Sequence, residues 1–155
     1  MLGRRLPDAI KTGRFAFVDR GEFPYATCHV DNLIEAVSLA LERGAGGRAY
    51  FVNDPEGTTF RDFVAGIASV QGLSIDSVGS VPYRFAFTLG RLMEFGKCIT
   101  FSPSDPPLSR TMVRMIGREF TMNDADARRD LGYVGKVTRA EGLSRYKNDK
   151  SRRPL

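Results

Sequence analysis

Few residues in this chain could carry chemistry, and their spacing decides which of them can act together. Cys28 and His29 offer a thiol and a base, the two halves of a nucleophilic dyad. They are neighbours on a segment that reads as extended, where successive side chains point to opposite faces, so the pair cannot cooperate. His29 is the only histidine. Without a nearby thiol or carboxylate cluster it has no zinc-ligand spacing, and a hydrogen-bonded place inside the fold is expected for it. Gly44-Ala45-Gly46-Gly47 has the composition of a phosphate loop. A dinucleotide loop follows a strand and opens a helix, whereas this run follows a helix and opens a strand, so it reads as a turn. Tyr146 and Lys150 have the Tyr-x-x-x-Lys spacing in which a lysine readies a tyrosine for proton transfer. They stand beyond the last apolar anchor with no cofactor loop before them, and the spacing reads as a chance match. Arg110, Arg114 and Arg118 descend one helix; they either form a solvated face or line a cleft that orients an anionic or carbonyl group.

The elements that would position these residues centre on His29 to Asn53. Asp31 or Asn32 can cap a helix there, and Asn32 with Glu35 has capping-box spacing. Leu33, Ile34, Val37, Ala40 and Leu41 form an apolar stripe that needs covering. Arg43 and Gly44 end the helix, and Ala49-Tyr50-Phe51-Val52 reads as a strand covered on both faces. Before this stretch, Leu6 to Thr12 reads as a short helix, Phe15 to Val18 as a strand, and Tyr25 to Val30 as a second extended segment. After it, Asp54-Pro55-Glu56-Gly57 is a turn and Thr59 opens a helix through Val70. Residues 73–81 read as a loop, Pro82 starts another helix, and Ser109 to Ile116 a third. Glu119 to Met122 is a predicted strand, and Asn123 to Leu131 and Thr138 onward are predicted helices. The pattern gives about six helices and four short extended segments.

At 155 residues the chain reads as a single domain over 1–146 with a basic, disordered tail over 147–155, where Lys147, Lys150, Arg152 and Arg153 cluster. The formal charge of +5 gathers partly in that tail, which lacks the interleaved aromatics of a nucleic-acid surface. Two cysteines, Cys28 and Cys98, fit a reducing, cytoplasmic compartment. No apolar run has the length of a membrane span, and the start MLGRRLPDAI lacks the apolar region of a secretory signal.

The order CHVDNLIEAVSLALE, GGRAYFVNDPEGTTFRDFV, PPLSRTMVRMIGREFTMNDADARRDLGY and TRAEGL resembles the C-terminal, substrate-binding lobe of extended short-chain dehydrogenase/reductases. It looks most like the branch of NAD-dependent epimerase/dehydratases and 3-beta-hydroxysteroid dehydrogenases. The resemblance implies an α/β fold, a truncated Rossmann-type C-terminal lobe that is mostly helical with a few short strands. In that family the glycine-rich cofactor loop and catalytic Tyr/Lys pair precede this region, so no catalytic, cofactor-binding or metal residue is assigned here. NAD or NADP is expected only with a Rossmann-bearing partner chain. The implied substrate-binding residues are Tyr25, Thr27, His29, Phe85, Met93, Leu108 and Met112. Sugar-nucleotide epimerases carry an arginine where this chain has Tyr25, which points to an apolar carbonyl or sterol-like ligand. The expected role is a non-catalytic small-molecule-binding or interaction module; the alternative is one part of a split dehydrogenase completed by a Rossmann-bearing chain. A homodimer is expected through the face that holds the Rossmann half in full-length relatives, where the strand around Tyr50 and the stripe through Leu33, Val37 and Ala40 call for burial.

Overall fold

The computed structural model describes residues 2–100 and 109–152, with side chains over 6–96 and 109–148. The chain forms α1 (Leu2–Lys11), β1 (Phe17–Val18), β2 (Pro24–Tyr25), α2 (Val30–Arg43), β3 (Thr58–Thr59), α3 (Phe60–Val70), β4 (Ser80–Val81), α4 (Tyr83–Thr100), α5 (Arg110–Ile116) and α6 (Arg139–Arg152). A short left-handed turn at Asp19–Gly21 and a π-helical turn at Ala127–Leu131 complete it. The sheets are minimal: β1 pairs with β4 in parallel, Phe17 opposite Ser80 and Val18 opposite Val81, and β2 pairs with β3.

Where the sequence reads as one domain over 1–146, the chain groups into two compact units. The first takes Met1–Pro24 and Thr59–Phe120, the second Tyr25–Thr58 and Thr121–Leu155. Each unit is therefore built from two separated stretches of chain.

The first unit packs around β1. Val18, Ala86 and Val113 are buried together, with Val81, Tyr83, Phe87 and Ile116 against them. Phe17 is fully buried, edge-on to Phe15 and Phe60, and capped by the Arg61 guanidinium 4.4 Å above its ring. Gly117 follows α5 because nothing larger fits: an added Cβ would stand 2.5 Å from Val18 Cγ1 and 2.9 Å from Tyr83 Cδ2. Helix α3 begins as its sequence dictates, the Thr59 hydroxyl accepting from the Asp62 N–H. Its end is set by Gly72, which holds a positive φ of 70°.

The second unit buries Ala36, Ala127, Leu131 and Tyr133, with Leu39, Ala40, Tyr50 and Val52 packed on them. The Ala49–Val52 segment differs from the fully covered strand its apolar run predicts. It joins no ladder, and while Tyr50 and Val52 face the core, Phe51 is 61% exposed. Alternation along an extended chain sends every second side chain outward, and no neighbouring strand among the described residues receives Phe51.

Helix α2 is turned about its axis from the expected setting. Asn32, Ala36 and Leu39 point into the unit, while Leu33, Ile34, Val37 and Leu41 are exposed, Leu41 to 85%. Only Ala40 of the predicted stripe reaches the core. The reason is polar: Asn32 is drawn inward by partners that an apolar side chain could not satisfy, and the rest of the helix follows. Tyr25 to Val30 pairs as a strand only at Tyr25, His29 keeps extended backbone, and Val30 already opens α2. Glu119 to Met122 makes a single bridge at Phe120, whose N–H donates to the Pro24 carbonyl, rather than a strand. The loop expected over 73–81 ends in β4. Helix α6 runs past Leu143 to Arg152, so helical backbone covers residues 147–152.

Candidate functional site

A polar network that joins distant parts of the chain is centred on Asp54. Its carboxylate accepts the Thr27 hydroxyl at 2.7 Å, the His29 backbone N–H at 2.7 Å and the Asn32 side-chain amide at 2.7 Å. Thr27 returns the contact, its carbonyl accepting the Asp54 N–H at 2.8 Å. Asn32, with no exposed surface, also donates to the Val137 carbonyl and accepts from the Val137 N–H, at 2.8 and 2.9 Å. One aspartate and one asparagine thus clamp the segment before α2, the turn after Val52 and the strand-like segment entering α6. A second tie runs beside it, the Tyr133 hydroxyl donating to the Asn53 carbonyl at 2.6 Å.

Sequence reasoning placed Asp31 or Asn32 at the α2 cap. The cap is His29: its Nδ1 accepts from the Asp31 N–H at 3.2 Å, which puts the proton of a neutral ring on Nε2. Asn32 cannot cap because the clamp uses its amide. Glu35, which would complete a capping box, instead accepts from the Lys136 N–H. The ring edge of His29 lies against α6, where an added Cβ on Gly142 would stand 2.7 Å from His29 Cδ2. Gly142→Ala is expected to cost about 1–3 kcal/mol in urea denaturation. The cost should shrink when His29→Ala removes the obstructing ring.

Cys28 and His29 do not act together. The thiol is exposed and its pKa is raised, first by desolvation and then by the negative charge of Asp54, the reverse of what activates a nucleophile. Tyr146 is partly exposed on α6, the helix that also carries Lys150. Gly44-Ala45-Gly46-Gly47 follows the C-terminal end of α2, where the Gly44 N–H is taken up by the Ala40 carbonyl. The free carbonyls and negative dipole there disfavour a phosphate, so this run does not fit a dinucleotide.

Only Arg110 and Arg114 lie on α5, while Arg118 follows its end at Gly117, and all three side chains are engaged. Arg110 donates to Glu94 through its backbone and its side chain. Arg114 lies over the Phe87 ring and Arg118 over Tyr83, at 5.4 and 4.5 Å from the centroids.

Of the residues assigned to substrate binding, Thr27 and His29 belong to the Asp54 clamp, and Tyr25 is half-buried on β2. Phe85 and Met93 on α4 and Met112 on α5 are exposed apolar side chains of the first unit. Leu108 lies outside the described residues. What sequence reasoning missed is Asp54, read as the first residue of a turn. The available signal was Asn32, a polar residue at the start of the otherwise apolar run Leu33-Ile34.

Tyr133 is buried, and its phenol is pushed up to about 12, chiefly by desolvation and next by the nearby Cys28 and Asp54 charges. An unfolded tyrosine ionises near 10. The folded state therefore holds its proton longer, and stability falls as pH rises from 10 towards 12. Alkaline denaturation should show this slope, and Tyr133→Phe should flatten it while costing about 1 kcal/mol at neutral pH through the lost hydrogen bond to Asn53.

The fold is α/β, mostly helical with a few short strands, and matches the C-terminal part of an extended short-chain dehydrogenase/reductase. The dTDP-glucose 4,6-dehydratase DesIV of Streptomyces venezuelae, solved with NAD and TYD bound, superimposes with a TM-score of 0.60 over 98% of this chain and 38% of its own, at 17% identity. The 4-hydroxy-2-methyl-3-oxo-4-farnesyl-3,4-dihydroquinoline-1-oxide ketoreductase of Stigmatella aurantiaca is 40% identical over 139 residues, 90% of this chain and 41% of the relative. The 2-alkyl-3-oxoalkanoate reductase of Stenotrophomonas maltophilia is 30% identical over 149 residues, 92% of this chain and 44% of the relative. No protein-family model matches the chain. The chain is thus similar, in fold and over most of its sequence, to part of these oxidoreductases, and spans about two fifths of the length of the curated relatives it matches.

Proposed function

We propose that this chain shapes the substrate side of an NAD(P)-dependent reductase of apolar ketones, and that by itself it binds such compounds without turning them over. The observation that carries the reading is the 40% identity with the Stigmatella ketoreductase, whose named substrate joins a ketone to a farnesyl chain. The Stenotrophomonas relative is likewise named for a 3-oxo group on alkyl chains. Phe85, Met93 and Met112 are the substrate contacts in this reading, exposed apolar side chains of the kind that line small-molecule sites. NAD(P) binding and proton transfer fall to a Rossmann-bearing partner.

Thermal-shift measurements with long-chain ketones should raise the melting temperature by a few degrees, while calorimetry with NADPH alone should show no binding. Micromolar NAD(P) binding, or cofactor-dependent turnover lost in Tyr146→Phe, would overturn the reading.

The outward seam of α2 favours an accompanying assembly. Val30, Ile34, Val37 and Leu41 recur at helical spacing, with Leu33 beside them, and all are exposed. We place on this seam a second copy of the chain, with a Rossmann-bearing chain as the competing occupant. Light scattering at micromolar concentration should give about twice the chain mass, and Val37→Asp should dissociate the assembly. A monomer indifferent to Val37→Asp would argue against any occupant.

A further inference from the structure

Helix α4 is apolar on two opposite sides. Its inner side carries Ala86 and Gly90, with Tyr83 and Phe87 next to them; an added Cβ on Gly90 would lie 3.3 Å from the Arg110 backbone nitrogen. Its outer side carries Phe85, Leu89, Leu92 and Phe95, all exposed, Leu92 to 68% and Phe95 to 65%. Phe85, Leu89 and Leu92 stand one turn apart and make a continuous seam where a helix facing only water would carry polar residues.

The exposed charges that α4 itself sets beside the seam are of one sign among the described side chains. Arg84 and Arg91, two turns apart and both exposed, follow one edge of it. The single carboxylate of α4, Glu94, is turned to Arg110, which meets it through the backbone N–H and the guanidinium. The outer side is therefore apolar with a cationic margin. No described helix is long and apolar enough to cross a membrane.

We propose that the outer side of α4 rests on an anionic lipid surface, with Leu89, Leu92 and Phe95 at the acyl boundary and Arg84 and Arg91 among the headgroups. An apolar strip edged by basic residues is what an interface-plane helix presents to lipid, here with the opposite side packed on the protein core instead of facing water. Charge argues against a second copy on the same seam. Two such faces would bring Arg84 and Arg91 of each copy together, with the one acidic group of the helix already committed to Arg110. A lipid surface bearing negative charge takes up both the apolar seam and its cationic edge. Phe85 also figures among the proposed substrate contacts, so the test relies on other residues.

The full chain should sediment with vesicles of phosphatidylcholine mixed with about a third phosphatidylglycerol, much less with phosphatidylcholine alone, and should be released by salt. Leu92→Glu should lower partitioning about tenfold or more, since the leucine that enters the acyl boundary is replaced by a charge. Arg84→Gln and Arg91→Gln should each lower it about fivefold on anionic vesicles only. Circular dichroism and thermal melting of these variants should match the parent, because all three side chains are exposed. The proposal fails if the chain stays in solution with both vesicle types, or if Leu92→Glu binds as the parent does. It also fails if Leu92→Glu instead splits a dimer of this chain that never binds vesicles.

Discussion

Asp54→Ala is expected to remove about 3 kcal/mol of stability and to lower the melting temperature by about 10 °C. Three donors converge on this carboxylate: the Thr27 hydroxyl, the His29 N–H and the Asn32 amide. Truncation leaves all three without their charged acceptor at once. The fully buried Asn32 keeps only its Val137 contacts. The expected loss exceeds that of an ordinary surface substitution because buried donors are left unsatisfied, rather than because one strong bond is lost. Asp54→Asn preserves shape but can accept through only one atom, so it should fall between the two. Urea denaturation followed by circular dichroism gives the difference directly. A loss under about 1 kcal/mol would show that water or relaxation replaces the clamp.

Gly117→Ala should be nearly as damaging in the first unit, costing about 2–3 kcal/mol. Its new methyl would meet Val18 Cγ1 at 2.5 Å, the Val113 carbonyl oxygen at 2.8 Å and the Tyr83 ring at 2.9 Å. Val18 and Val113 are buried and Tyr83 is held beneath Arg118, so relief requires α5 or the β1 backbone to shift. The double variant of Asp54 and Gly117 should be close to additive, because the two sites share no partner. Val18→Ala opens space beside Gly117 and should make Gly117→Ala less costly than in the parent. If the cost is unchanged in that background, the Val113 carbonyl and Tyr83 are the obstacles.

The similarity to the C-terminal part of an extended short-chain dehydrogenase/reductase was legible because it resides in local signals. Thr59 with Asp62 caps its helix as the sequence indicates, the helix expected from Ser109 starts there with the Ser109 hydroxyl accepting from the Met112 N–H, and Gly72 and Gly132 end theirs in left-handed backbone. Misreadings arose where a distant group decides the outcome. Nothing near Asn32 in sequence announces that Asp54 and Val137 will claim its amide, which in turn rotates α2 and leaves His29 to cap it. The Ala49–Val52 run has the composition of a fully covered strand, but composition does not say whether a neighbour is there to cover Phe51. The sequence offers Phe85, Ala86, Leu89, Leu92 and Met93 as one apolar set on this helix. Periodicity alone could not separate the side that meets Val113 from the side left outside.

The interleaving of the two units governs the order in which the chain can acquire structure. Asn32 and Val137 are 105 positions apart, and Tyr133 lies 80 beyond Asn53. During synthesis the first stretch of the second unit emerges early and must wait, its Asn32 amide and Asp54 carboxylate hydrated, until Thr121 onward has left the ribosome. The first unit closes sooner, once Arg110–Ile116 can settle on Val18 and Ala86. Its closure brings residues 58 and 121 under one constraint and shortens the effective loop that the clamp must later bridge. A nascent chain stalled when Phe120 has just cleared the ribosome should therefore protect Val18 and Val113 from exchange while leaving α2 open to proteolysis.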